Sequence, residues 1–353
     1  MNSNKSVLLT KSLSIELSKI PQYNYLSKKQ SVWNTNQGKF FVAIFFISAI
    51  IAAPVTQAAS MLFKSNFGKG VSMSSVYGFN NTYNAYQDII GTDLETGYSW
   101  PIKAFNAKYS GIHLVASQPI DSTNVNDHIE NVIRPVRGPY GRIVNELFQN
   151  VKIKGEVGTA NALASLKLDR HWDIGDVNEA YFTYWFKYPA DFPDKLDSTV
   201  PAGDWRDQFS WKTGGYNDTY AGDYRFAINV IKGRDNKLFW RTFADNVANG
   251  PWSKVTYWSE DNKVVSVPVD KWFKFEVYWK RSSGSDGRFW AAVDGQEIVD
   301  HYGSNMGVLN LPVTRISINT PYSGGYATVE SHSTGLEIWS SFPCGVAMSC
   351  YAK

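Results

Sequence analysis

At 353 residues the chain is long enough to bury a substantial core, as one large all-β domain or as two smaller ones. Aromatic residues make up 15% of it, with 13 Trp, 20 Tyr and 20 Phe, a composition that favours strands and also furnishes sugar-binding surfaces. The formal charge of +3 carries no nucleic-acid footprint, because six lysines and one glutamate lie within an expected removable leader, leaving 29 basic and 31 acidic side chains after it.

The leader is read from Phe40 to Ala53, FFVAIFFISAIIAA, an apolar run shorter than the ~20 residues of a spanning helix. The small residues of PVTQAAS after it suit cleavage near Ala58 or Ala59, so residues 1–58 are expected to be an N-terminal leader with a signal peptide. The 39 residues before it exceed a usual n-region, so either translation starts later or the leader is an extended one; an uncleaved anchor is the other reading. Removal leaves no stable membrane span and implies a secreted or periplasmic protein.

Ser60 to Pro101 alternates short apolar groups with Gly, Asn, Ser and Thr, and Gly91 to Pro101 reads as a structured loop. His128 to Leu147 is the best helical insert, with Ile129, Val132, Ile133, Ile143, Val144 and Leu147 as its apolar positions and Pro135 and Pro139 as interruptions. From Ala162 short strands follow one another: ALASLKL, EAYFTYWFKYP, QFSWK, DYRFAINVI, KLFWRTF and VTYW, separated by Gly, Asp, Asn or Pro.

Lys271 to Asp300 holds the clearest period-two pattern. Phe273, Phe275, Val277 and Trp279 fall on one face, and Lys274, Glu276, Tyr278 and Lys280 on the other. SSGSDG supplies the turn to Arg288–Val293, and Asp294-Gly295 suits a second tight turn into Gln296–Asp300. RISIN, ATVES and GLEIW close the series. Strands at this spacing imply a sandwich or barrel, taken as a single domain over residues 59–343. Cys344 and Cys350 lie in the tail, 344–353, where one small disulfide is expected; a two-thiol metal site is the alternative.

The tryptophan-led strand, the hairpin and the Val-Asp-Gly turn resemble the concanavalin A-like lectin/glucanase superfamily. That resemblance implies an all-β fold, a two-sheet antiparallel β-jelly-roll sandwich, here with a small helical insert. EAYFTYWFKYPADF, QFSWKTGG, the hairpin and GLEIWSSFP are more closely similar to jelly-roll polysaccharide lyases of the alginate and heparin lyase type. The implied reaction is β-elimination beside a uronic acid, with no organic cofactor, although the signatures R-x-E-L, Q-x-H and Y-x-K-x-G-x-Y are absent.

Such chemistry needs cations or amides that neutralise a carboxylate, plus a base and an acid. Strand parity points outward for Gln208 and Lys212 in QFSWK, Arg225 and Asn229 in DYRFAINVI, and Arg315 and Asn319 in RISIN, with Tyr322 just beyond. Lys212, Arg225 and Tyr322 are the catalytic candidates. Gln208, Asn229, Arg315, Asn319 and Trp240 are the substrate-binding ones. His171 and His332 read as surface or loop residues. No E-x-D-x-x-E strand, serine-hydrolase elbow, phosphate loop or zinc spacing is present. A structural calcium at an Asp-bearing loop such as Asp261 or Asp286 is compatible with the sequence.

The expected partner of this monomer is therefore an acidic polysaccharide. The competing expectation is a non-catalytic carbohydrate-binding or cell-surface module that stacks sugar on Trp240, Trp258 or Trp290.

Overall fold

The computed structural model describes residues 58–80, 84–106, 110–116, 119–152, 162–167, 177–197, 199, 204–213, 224–246, 255–307, 310–323 and 329–343. The expected leader, His171, Cys344 and Cys350 lie outside them. No described helix is long and apolar enough to cross a membrane.

Strands β1 (Met61–Ser65), β2 (Val71–Met73), β3 (Tyr77–Asn80), β4 (Asn84–Thr92), β5 (Ser99–Trp100) and β6 (Gly111–Ala116) come first. They are followed by β7 (Ile129–Arg137), β8 (Ile143–Val151), β9 (Ala162–Lys167), β10 (Glu179–Lys187) and β11 (Asp204–Thr213). Next are β12 (Arg225–Lys232), β13 (Leu238–Asn246), β14 (Val255–Asn262) and β15 (Phe273–Lys280). The last are β16 (Arg288–Val293), β17 (Gln296–Tyr302), β18 (Val313–Ser323) and β19 (Val329–Trp339).

They form two antiparallel sheets, the expected all-β jelly-roll sandwich. The first runs β17-β16-β15-β10-β19-β8-β7, with β1 also on β19. The second runs β14-β13-β12-β11-β18-β9-β6-β4-β2, with β3 and β5 also on β4. The predicted hairpin is the run β15–β16–β17, and Asp294 and Gly295 turn its second corner at φ +50° and +75°.

Alternation puts Phe273, Phe275, Val277 and Trp279 of β15 inside, where they meet Phe209, Trp211, Phe226 and Ile228 of the opposite sheet. The Trp279 ring stands edge-on to Trp211 at 4.1 Å and to Phe226 at 5.1 Å. The edge-to-face arrangement is the favourable one for aromatic pairs, and the Phe226 separation falls in their usual range.

The helical insert does not form. Val125–His128 makes one α-helical turn and Pro139–Gly141 a short 3-10 turn; between them and beyond, β7 and β8 pair antiparallel from Ile129↔Val151 to Arg137↔Ile143. The region is rich in Ile and Val, which suit strands, and Pro135 removes a donor that a helix would need. An edge strand tolerates that loss, and β7 is the edge of its sheet.

Candidate functional site

The outer face of the second sheet carries four of the eight residues expected to be functional. Phe209, Trp211, Phe226, Ile228, Ile316 and Ile318 point into the core, so their neighbours Ser210, Lys212, Arg225, Asn229, Arg315 and Ser317 point out. Register aligns Arg315↔Lys212, Lys212↔Arg225 and Arg225↔Asp245, one row across β18, β11, β12 and β13. A second row holds Ser317, Ser210, Ala227 and Phe243, and a third Tyr322, Asp207, Asn229 and Arg241.

Like charges directly opposite one another are unfavourable in a sheet, so three consecutive cations are costly unless something offsets them. Asp245 offsets one. Its fully buried carboxylate accepts Arg225 Nε at 2.8 Å and Nη2 at 2.5 Å, a two-pronged pair. The Arg225 guanidinium also lies 5.3 Å from the centre of the Phe243 ring.

Burial, with Arg315 and Arg225 on either side, pushes the Lys212 ammonium well below its ordinary pKa, against the opposing pull of Asp207 and Asp245. Burial likewise pushes the Asp207 carboxyl up, against Lys212, the Ser210 hydroxyl, Arg225 and Arg315. Low dielectric works against both charges. Ser210 Oγ donates to Asp207 Oδ2 at 3.1 Å, while Asp207 Oδ1 and the buried Asn229 Oδ1 find no hydrogen-bond partner among the described residues. An acceptor left bare in this way is suited to a ligand donor.

Two of the expected substrate-binding residues lie elsewhere. Gln208 sits at a β-bulge, where the register slips between Asp207 and Phe209. The extra residue turns its side chain inward: Oε1 accepts from Tyr188 Oη at 2.5 Å and Nε2 donates to Tyr184 Oη at 3.0 Å. Trp240 is fully buried in the core, 5.8 Å from Phe275, because alternation along β13 points it at the opposite sheet.

Nor do the other two tryptophans form an exposed platform. Trp290 is covered by Phe342 at 5.3 Å, and half-buried Trp258 is stacked on His301 at 4.0 Å. Asn319 and Tyr322 lie on β18, Tyr322 opposite Asp207; their side chains are outside what the structure describes. Asp261 is forked to Arg241 at 2.6 and 2.9 Å, and Asp286 binds Lys280 at 2.9 Å, so each carboxylate considered for calcium already faces a cation. Among the described residues no group of three or more His, Cys, Asp or Glu is placed to hold a metal.

The outer face of the first sheet holds a different cluster. His332 is a strand residue on β19, not a loop residue, and its Nδ1 lies 2.9 Å from Glu146 Oε2. Arg134 Nε donates to Glu146 Oε1 at 2.8 Å. Burial pushes the Glu146 carboxyl up, yet the hydrogen bonds and charges of His332 and Arg134 outweigh it and hold the group below the ordinary glutamate value. A depressed folded-state pKa gives stability that is present above the unfolded value and is lost as pH falls through the folded one. The urea midpoint should therefore drop between about pH 5 and pH 3, and Glu146→Gln should flatten that drop. An unchanged slope in the variant would show that Glu146 contributes nothing to it.

Asp207 and Asp245 were not among the expected residues. Asp245 owes its role to cross-strand register, and Asp207 owes its role to the bulge. The alternation in DWRDQFSWK hints at the second only through its one-residue break in phase.

No family model matches the chain, and no curated protein matches its sequence. Among solved structures it is similar to an alginate lyase at 11% identity and TM-score 0.43, covering 80% of this chain and 96% of that one. It is also similar to the endo-β-1,4-glucuronan lyase of the fungus Trichoderma reesei at 11% identity and TM-score 0.41, over 60% and 90% of the two chains. The binding domain of a botulinum neurotoxin of serotype D/C is similar at 9% identity and TM-score 0.33, over 76% and 49%. At such values the chemistry has to come from the side chains.

Proposed function

We propose that this protein is an exported lyase that cleaves an acidic, uronate-containing polysaccharide by β-elimination on the outer face of the second sheet. The observation that carries this reading is the row Arg315, Lys212, Arg225 across three adjacent strands. The two arginines suit an anionic ligand, and burial between them pushes Lys212 toward the neutral amine that a general base has to be.

Each residue then has a role. Arg315 and Asn229 bind and neutralise the uronate carboxylate, which acidifies the proton on C5. Lys212, as the free amine, takes that proton. The C5–H electron pair becomes the C4=C5 double bond as the C4–O bond breaks. Tyr322, at the register position opposite Asp207, is the proposed donor to the departing oxygen. Arg225, braced by Asp245, is a positioning residue whose charge, with that of Arg315, disfavours the protonated form of Lys212.

New unsaturated uronate ends absorb in the ultraviolet, so incubation with alginate, polyglucuronate, heparin-type and pectin-type polymers tests the reading directly. Lys212→Ala should lower turnover by about 10²–10⁴-fold, the usual size of a general-base contribution, with folding retained. Wild-type turnover should rise with pH as Lys212 loses its proton. Silence of the folded protein on every polymer would sink the proposal, as would a Lys212→Ala variant of undiminished activity.

A further inference from the structure

A second feature lies on the opposite side of the sandwich. The β7–β8 hairpin carries its tip, Gly138 to Gly141, toward Trp185 of β10 and the Lys271-Trp272 pair that leads into β15. Between them opens a cleft of about 490 Å³, within the range of ligand sites. Three aromatic side chains line it: Tyr140, Trp185 and Trp272. Arg137 and Lys271 line it as well, and both are exposed.

Water leaves little reason for such an arrangement. Tyr140 is 86% exposed, an unusual place for a large aromatic ring, and the backbone holds it at φ +60°. The ring stands edge-on to Trp185 at 5.3 Å. The hairpin tip is braced rather than loose, since Trp272 Nε1 donates to Arg137 O at 2.9 Å and Arg137 Nε to Gly141 O at 3.4 Å. Among the described residues that line the cleft there is no acid.

We infer that this cleft is a separate binding site for an acidic sugar chain, in which a pyranose ring packs on Tyr140 and Trp185 while Arg137 and Lys271 meet its carboxylate. Aromatic faces select the apolar C–H face of a sugar, and the two cations select the anionic over the neutral polymer. Catalytic groups of the first site play no part, so the site would anchor the polymer whether or not elimination occurs. These five residues select the ligand class whether or not the lyase reading holds.

The test measures binding of the full chain to a uronate hexasaccharide and to its carboxyl-reduced, neutral counterpart, by calorimetry. Lys212→Ala serves as background, so that no substrate is consumed. Tyr140→Ala and, separately, Lys271→Glu should each weaken binding of the acidic hexasaccharide by about tenfold or more, with unchanged thermal midpoints. Lys271→Glu changes only an exposed side chain, so the test survives a Tyr140 variant that folds poorly. Unchanged affinity in Lys271→Glu overturns the inference, and so does equal affinity for the neutral counterpart. Loss of affinity here alongside silence in the ultraviolet assay would leave this site standing and the lyase reading refuted.

Discussion

Arg225→Ala is expected to lower the stability of this protein by about 3–5 kcal/mol, as in other cases where one partner of a buried ion pair is removed. The Asp245 side chain is fully buried and accepts two hydrogen bonds from Arg225, so alanine would strand a carboxylate away from water. The parity of β12 makes Arg225 an outward residue, which by itself suggests that alanine should be tolerated. Its partner on β13 reverses that expectation. Urea unfolding measures the loss as a shift in midpoint. Replacing both residues together, as Arg225→Met with Asp245→Leu, should recover most of the loss, because an apolar pair of similar volume needs no mutual charge. A single variant that unfolds within 1 kcal/mol of wild type would show that the pair carries little weight.

Trp279→Ala should cost about 3–5 kcal/mol by a different route, the lost transfer of a large ring plus the cavity it leaves. Trp279 is 1% exposed and packs across the sheets on Trp211, Phe226 and the rest of the core. Its Nε1 has no hydrogen-bond partner among the described residues, so Trp279→Phe removes a buried donor together with some volume. Phenylalanine should accordingly cost much less than alanine. Equal losses for the two would mean that the site collapses around any substitution. Near-native stability of the alanine variant would remove Trp279 from the core.

The site was legible only in part, and the reason is local. Parity is a rule about one strand, and it correctly turned Lys212, Arg225, Asn229 and Arg315 outward because their neighbours are unmistakably apolar. It failed at Gln208, where a bulge inserts one residue and reverses the direction of the side chain. Trp240 was expected to bind sugar as an aromatic platform, not from parity, and alternation with Arg241 assigns its indole to the core. The pocket lined by Tyr140, Trp185 and Trp272 leaves no local signal in the sequence because its residues come from three distant parts of the chain.

Composition and periodicity by themselves determined that this is an all-β chain with a large aromatic core. The β15–β17 strands, both of their turns and the inward faces of β11, β12 and β18 follow from alternation and turn chemistry, which act over a few residues. The β7–β8 hairpin did not, since Ile- and Val-rich sequence with spaced prolines fits neither template until an edge position in a sheet accommodates Pro135. Only the tertiary structure decided which strands lie side by side. That choice sets Lys212 between two arginines, gives Arg225 its buried carboxylate, and couples His332 to Glu146 from 186 residues away. Pairing between remote strands depends on the packing of both sheets at once, and no short stretch of sequence carries it.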